Sequence, residues 1–149
     1  MIGGFVPGAS AASATETAGP VDRAAFRVRV LQSDMMVAAL SCNLRDNYNQ
    51  AIRLFQSELV LHGRHLRAYF DRVHGRNGQR ELDRFVTAMA NEAASRSAAQ
   101  GDQYCAAAEH MMTTVLSLAP NSLAEFSRSI VDLARLHLPG AVAAARQRN

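Results

Sequence analysis

The sequence of 149 residues contains no lysine and no tryptophan, so its 16 basic side chains are all arginines. Without lysine, the chain cannot contain a Ser-x-x-Lys nucleophile or the lysine-containing glycine-rich loop that binds nucleotide phosphates. The motifs Gly-x-Ser-x-Gly and Gly-x-Gly-x-x-Gly are absent as well. These absences predict a protein that is not an enzyme and that has no cofactor.

Cysteine and long apolar runs are also scarce. The two cysteines, Cys42 and Cys105, are too few for a four-thiolate zinc site or for an iron–sulfur cluster bound only by cysteine. No run approaches the roughly 18 apolar residues from which a transmembrane helix is recognised. With 48% hydrophobic residues over this length, the composition predicts one globular domain.

The spacing of apolar residues predicts an all-α fold. In the clearest pattern, steps of four and three residues alternate without interruption through Tyr48, Ile52, Phe55, Leu59, His62, Leu66, Tyr69 and Val73. Similar spacing predicts helices over about residues 22–43, 79–98, 102–118 and 122–138. Gly75, which suits the left-handed position after a helix, and Pro120 separate neighbouring segments. We therefore predict an antiparallel bundle of four to five helices at residues 20–138.

The two ends of the chain differ from the bundle in composition. Residues 1–19 are rich in Gly, Ala, Ser and Thr, and they are predicted to form a disordered leader. Ala9-Ser10-Ala11 and Ala12-Ser13-Ala14 fit the small-x-small pattern of a signal-peptide cleavage site, although the basic and apolar parts of a signal are missing. The leader favours a periplasmic or secreted protein, with a cytoplasmic location as the alternative. Residues 139–149 are predicted to form a flexible Ala/Arg tail.

Both cysteines lie at positions where the helical spacing predicts an inward side chain. Cys42 is near the end of the first predicted helix and Cys105 is near the start of the fourth. These two ends can meet in an up-and-down bundle, so a disulfide bond between them is predicted. Such a bond is typical of exported proteins and agrees with the composition of the leader. Two buried free thiols are the alternative.

Two local features predict details of the packing. Gly63 lies inside the second helix, where glycine is unfavourable relative to alanine, and its position predicts close approach by a neighbouring helix. A mild bend is the alternative. Ser122 precedes Glu125 by three residues, which predicts a reciprocal capping box at the start of the last helix.

Three potential metal ligands lie on one side of the second helix. Glu58, His62 and His65 are spaced at i, i+4 and i+7, so that their side chains share roughly one face. A metal site in the bundle core, or haem binding at His110 with Met111 or Met112, is therefore an alternative function. We favour a structural explanation for these residues, in which His62 is a core or boundary histidine with its hydrogen bonds satisfied and His65 lies at the surface.

The positive charge is concentrated in one hairpin. Residues 62–84 contain six arginines and three acidic residues, an excess of three that equals the formal net charge of +3 of the whole chain. The arginines are Arg64, Arg67, Arg72, Arg76, Arg80 and Arg84. They could bind phosphate or carboxylate groups, or they could form a solvated face with local pairs such as Arg67 with Asp71.

Taken together, the sequence favours a small non-enzymatic helical protein, exported to the bacterial envelope, that acts through this arginine-rich hairpin. Its expected partner is a protein or an anionic envelope surface. Nucleic acid is the less favoured partner, because the hairpin has no interleaved exposed aromatic residue and no lysine.

Overall fold

A computed structural model describes residues 18–133 of the chain. Six α-helices, a 3₁₀ turn and no strand occur in this range: α1 (Pro20–Ser41), α2 (Arg45–Leu54), α3 (Gln56–His74), the 3₁₀ turn (Gly75–Asn77), α4 (Gly78–Gln100), α5 (Asp102–Leu116) and α6 (Leu123–Ile130). The predicted all-α class is therefore confirmed. The last helix, predicted to extend to residue 138, ends at Ile130, because Val131 is extended with φ −105° and ψ 116°. Residues 1–17 and the tail at 139–149 lie outside the described residues.

Helix α1 is the central element of the bundle. It contacts each of the other five α-helices, and α3 and α4 pack against it and against each other. Its first turn begins at Pro20. Proline has no backbone N–H, but the first N–H groups of a helix have no acceptor within the helix, so no hydrogen bond is lost. The carboxylate of Asp22 accepts a hydrogen bond from the backbone N–H of Gly19 at 3.1 Å, which satisfies one amide that precedes the helix.

Four aromatic side chains form the centre of the core between these three helices. The ring of Phe26 on α1 meets Tyr69 of α3 and Phe85 of α4 edge-on, with 5.0 Å between ring centroids in both pairs. Phe70 lies 5.8 Å from Phe26 and is fully buried. Although aromatics make up only 6% of the sequence, they are concentrated where three helices meet and where each can bury a large apolar area.

The predicted long second helix is divided in two at Phe55. This residue, with φ −112° and ψ 22°, ends α2 and precedes α3. The hydrogen-bond series nevertheless continues across it, because its N–H bonds to the carbonyl of Ala51 and its carbonyl accepts the N–H of Leu59. The helical register is therefore largely retained. None of the eight residues of the predicted apolar pattern is exposed, so the inward face was predicted correctly even though the helix boundary was missed.

The predicted disulfide bond is present between Cys42, directly after α1, and Cys105 in the first turn of α5. The two Cα atoms are 5.4 Å apart, and 63 positions separate the cysteines in the sequence. The bond therefore links the end of the central helix to the helix that closes the other side of the bundle.

The predicted capping box at the last helix is not formed. The hydroxyl of Ser122 donates a hydrogen bond to the carbonyl of Ala119, and Glu125 is an exposed partner of Arg128 at 3.9 Å. The buried carboxylate of Glu58 on α3 instead accepts the N–H of Leu123 at 3.0 Å. An acceptor from another helix has thus replaced the local one.

The prediction for Gly63 is wrong. This residue is exposed, and a Cβ atom placed on it would meet nothing within 4 Å outside its own helix backbone and chain neighbours. The close approach lies at Gly78 instead, where a Cβ atom would be 3.0 Å from the Cα atom of Asp71. Gly78 therefore allows the start of α4 to pack against the end of α3.

Candidate functional site

The arginine-rich hairpin consists of the C-terminal part of α3, the 3₁₀ turn and the N-terminal part of α4. Gly75 ends α3 with φ +59° and ψ −132°, which differs in ψ from the left-handed helical conformation predicted for it but has a positive φ that glycine adopts without strain. The chain then reverses within three residues, and Gly78 brings the two helices close together. Two glycines therefore shape the turn that joins the arginine-bearing ends of α3 and α4.

Two of the six arginines form ion pairs with acids at distances below 3 Å. Arg67 donates to Asp71 at 2.9 Å and also to the side-chain oxygen of Gln79, which connects α3 with α4. Arg72 forms an ion pair with Asp22 of α1 at 2.7 Å, and its guanidinium lies 5.6 Å from the ring centre of Tyr69. Arg67 thus joins the two helices of the hairpin and Arg72 attaches the hairpin to α1, and the charge of each is matched by an acid.

The other four arginines are available for an external partner to different degrees. Arg84 contacts Glu81 at 3.3 Å, but its side chain is largely exposed, so this pair contributes little. Arg64, Arg76 and Arg80 are exposed and form no ion pair or hydrogen bond within residues 18–133. Arg80 and Arg84 are four residues apart on α4 and form a row on one face of that helix, whereas Arg76 lies in the 3₁₀ turn that precedes it.

A shallow cleft on α4 extends this row of arginines. Its volume is about 400 Å³, and its lining comprises Arg80, Asp83, Arg84, Thr87, Ala88 and Asn91. Two guanidinium groups, one carboxylate and two uncharged polar side chains thus face the same open space. Because guanidinium binds carboxylate and phosphate groups in a bidentate manner, this arrangement can bind anionic groups at the protein surface.

Glu58, His62 and His65 do not form the metal site considered from the sequence. Within the described residues, no three His, Cys, Asp or Glu side chains lie close enough to hold a metal ion. The rings of His62 and His65 are 6.1 Å apart and edge-on, while one carboxylate oxygen of Glu58 is used by the N–H of Leu123. The i, i+4, i+7 spacing placed the residues near one another, but it did not make their ligand atoms converge.

The electrostatic environment of His62 favours its neutral form. Burial lowers the pKa of this imidazole below its usual value, the nearby His65 lowers it further, and Glu58 partly opposes the shift. The Nδ1 atoms of His62 and His65 are both buried and have no hydrogen-bond partner in the structure.

The residues considered as haem ligands lie in different environments. His110 is exposed on α5, whereas Met112 is buried in the core.

A groove between α1, α4 and α5 was missed by sequence reasoning. It has a volume of about 320 Å³ and contains an ion pair between Asp34 and Arg96 at 2.8 Å. Tyr104 lies beside this pair, and burial together with the charge of Asp34 raises the pKa of its hydroxyl. No local spacing could have revealed the groove, because 62 positions separate Asp34 from Arg96. The two charges already balance each other, so the groove offers little net charge to a ligand.

No helix among residues 18–133 is sufficiently long and apolar to cross a membrane. Comparisons of the chain with protein-family models, with curated proteins and with solved structures found no match.

Proposed function

We propose that this protein is a small non-enzymatic helical protein that binds an anionic partner through the hairpin at residues 62–84. The observation that carries the proposal is the contrast among the hairpin arginines. Arg67 and Arg72 are matched by acids, whereas Arg64, Arg76 and Arg80 are exposed without such partners within the described residues. An exposed guanidinium group without an internal acid can bind an external carboxylate or phosphate, and such a charge-assisted hydrogen bond is stronger than a neutral one.

The absence of lysine and of hydrolase and nucleotide-binding motifs supports a binding role without catalysis. The charge distribution supports the same role, because the hairpin accounts for the whole excess of +3 while the rest of the chain is neutral. A local field of this kind accelerates association with an anionic partner and makes binding depend on salt.

We further propose that the protein functions outside the reducing cytoplasm, in the periplasm or as a secreted protein. The disulfide bond between Cys42 and Cys105 supports this location, since such bonds persist in oxidising compartments. The test is the redox state of the two cysteines in protein isolated under thiol-blocking conditions. Recovery of both residues as free thiols would contradict an exported protein.

Binding is tested with three anionic probes, namely vesicles containing phosphatidylglycerol, polyglutamate and a DNA duplex. We expect binding to the vesicles or to polyglutamate that weakens as salt is added. The variant R76Q/R80Q should bind about thirtyfold more weakly, if each arginine near the anionic surface contributes about 1 kcal/mol.

The control variant R45Q/R128Q removes the same formal charge from exposed positions elsewhere. It should change the affinity about twofold or less, because its charges are not part of the hairpin. Equal losses in the two variants, or no salt-dependent binding to any probe, would refute the proposal. Preferential binding of the DNA duplex would support the nucleic-acid alternative instead.

A further inference from the structure

The outer face of α2 and α3 carries no exposed acidic residue over a long stretch. Between Asp46 and Asp71 the only acid is Glu58, and its carboxylate is buried against the start of α6. The exposed positions in this stretch, from residue 53 onward, are Arg53, Leu54, Gln56, Ser57, Val60, Leu61, Gly63, Arg64, Arg67 and Ala68. We refer to these ten residues as the outer face.

Three large apolar side chains are exposed on the outer face. Leu54, Val60 and Leu61 are 55%, 46% and 45% exposed, although the bundle buries most of its other large apolar residues. Val60 and Leu61 precede Arg64 by four and three residues, so the three side chains are neighbours on the helix surface. Exposed aliphatic groups that cluster in this way are unfavourable in water and mark an interaction surface.

The charges of the outer face complement those of an anionic surface. Arg53 and Arg64 form no ion pair within residues 18–133, and Arg67 shares its charge with Asp71 at the far end of the face. Arginine beside aliphatic residues on an exposed helix is the composition of helices that lie in the membrane interface. The guanidinium groups bind lipid phosphates there, while the aliphatic groups enter the boundary between the headgroups and the acyl chains.

The shape of the outer face also fits a bilayer. Helix α3 has 19 residues, which corresponds to a length of about 28 Å. A bilayer presents phosphate groups and an apolar layer along a single planar boundary, so one helix side can contact both at once. Among the uncharged positions of the face, Ser57 and Gly63 are small, and Gln56, the first residue of α3, is the one that carries a large polar group.

From these observations we infer that the anionic partner is a membrane surface containing anionic lipid, and that Leu54, Val60 and Leu61 insert into its interface. This inference rests on the proposed function, since it names the partner of the hairpin and extends its binding surface along α3. Arg64 belongs to both surfaces, and Arg76 and Arg80 add attraction to the lipid charge at the other end of the helix.

Insertion is tested with a fluorescent reporter, which is possible because the chain has no tryptophan. The variant L61W places one reporter on the outer face, and V21W places one at a similarly exposed apolar position on α1. Both proteins are mixed with vesicles of phosphatidylcholine alone and with an equal mixture of phosphatidylcholine and phosphatidylglycerol. We expect a blue shift and quenching by brominated lipid only for L61W with the anionic mixture.

Vesicle affinity then separates the apolar from the electrostatic contribution. The variant L54S/L61S should bind the anionic vesicles about tenfold more weakly or worse, because two aliphatic side chains no longer insert. Its matched control, V21S/L40S, alters two exposed apolar residues outside the outer face and should bind like the original protein. The variant R64Q should lose about fivefold in affinity. Since all these positions are exposed, circular dichroism should show unchanged folding.

Three outcomes would overturn the inference and leave the proposed function intact. They are unshifted L61W fluorescence on vesicles that do bind, equal binding by L54S/L61S and V21S/L40S, and binding to polyglutamate without binding to vesicles. Equal binding to both kinds of vesicle would also overturn it, because the lipid charge would then have no effect. Absence of binding to every anionic probe would refute both proposals.

Discussion

The two sides of the bundle are held together by different kinds of interaction. On one side α1, α3 and α4 bury a cluster of aromatic rings, and their contacts are apolar and numerous. On the other side α5 and α6 bury fewer side chains in the core, among them Met112, Val115 and Leu123, and two single links add to this packing, namely the disulfide bond at Cys105 and the hydrogen bond from the N–H of Leu123 to Glu58. Packing spreads its stabilisation over many contacts, whereas each link can be removed by one substitution.

The largest effect should come from the aromatic side of the bundle. Phe70→Ala removes a fully buried ring that contacts Phe26 and Phe85, and we expect it to lower the free energy of unfolding by about 3–5 kcal/mol. Leu61→Ala, on the outer face of the same helix, should change it by less than about 0.5 kcal/mol. Urea unfolding with the disulfide intact measures both values. Similar losses for the two variants would show that α3 does not have a packed and an unpacked side.

The next effect should come from the covalent link. Replacing both cysteines in C42S/C105S opens a loop of about 60 residues, and the chain-entropy model gives a loss of about 4 kcal/mol. Urea unfolding of this variant, and of the original protein with and without reductant, measures the loss. The reduced protein and the variant should have the same free energy of unfolding. A change below about 1 kcal/mol would show that packing alone holds α5 against α1.

A smaller effect is expected at the hydrogen bond between α3 and α6. Glu58→Ala leaves the N–H of Leu123 without its acceptor, which should cost about 1–3 kcal/mol. Glu58→Gln retains a carbonyl oxygen and should recover more than half of the loss. Hydrogen exchange of the amides of α6 provides a local measurement, in which protection of Leu123 should fall for Glu58→Ala. Unchanged exchange in that variant would mean that the carboxylate does not stabilise the start of α6.

The same contrast explains which features could be predicted from the sequence. The inward face from Tyr48 to Val73 was predicted correctly, because helical spacing is a local property of the chain. The pair of Arg67 with Asp71 was predicted for the same reason. The break at Phe55 was missed, because the apolar pattern continues through it without a change of phase.

Features that join distant parts of the chain were generally missed. Arg72 pairs with Asp22, which is 50 positions away, and Glu58 caps a helix that begins 65 positions later. In both cases the sequence gives no local signal, and the prediction for α6 relied on the nearby Ser122 instead. The disulfide bond is the exception, because only two cysteines were available to pair.

The smallest expected effect is the pH dependence of stability that comes from His62, which is on the same helix as Glu58. Because burial and His65 lower the pKa of His62 in the folded protein, the unfolded chain binds a proton more readily at this residue. The stability that this imidazole contributes is therefore fully present above its unfolded pKa of about 6.5 and is lost as the pH falls through the lower folded value. Thermal unfolding at neutral and mildly acidic pH should show the decline.

The control for this effect is His62→Gln, which cannot take up the proton. The variant should lose less stability than the original protein over the same pH interval, and the difference between the two proteins isolates the histidine from the carboxylates that titrate at lower pH. Identical pH dependence in both proteins would show that His62 is protonated equally in the folded and unfolded chains. In that case its proximity to His65 and Glu58 would be a matter of packing alone, and the link between α3 and α6 would depend on Glu58 without a contribution from the imidazole.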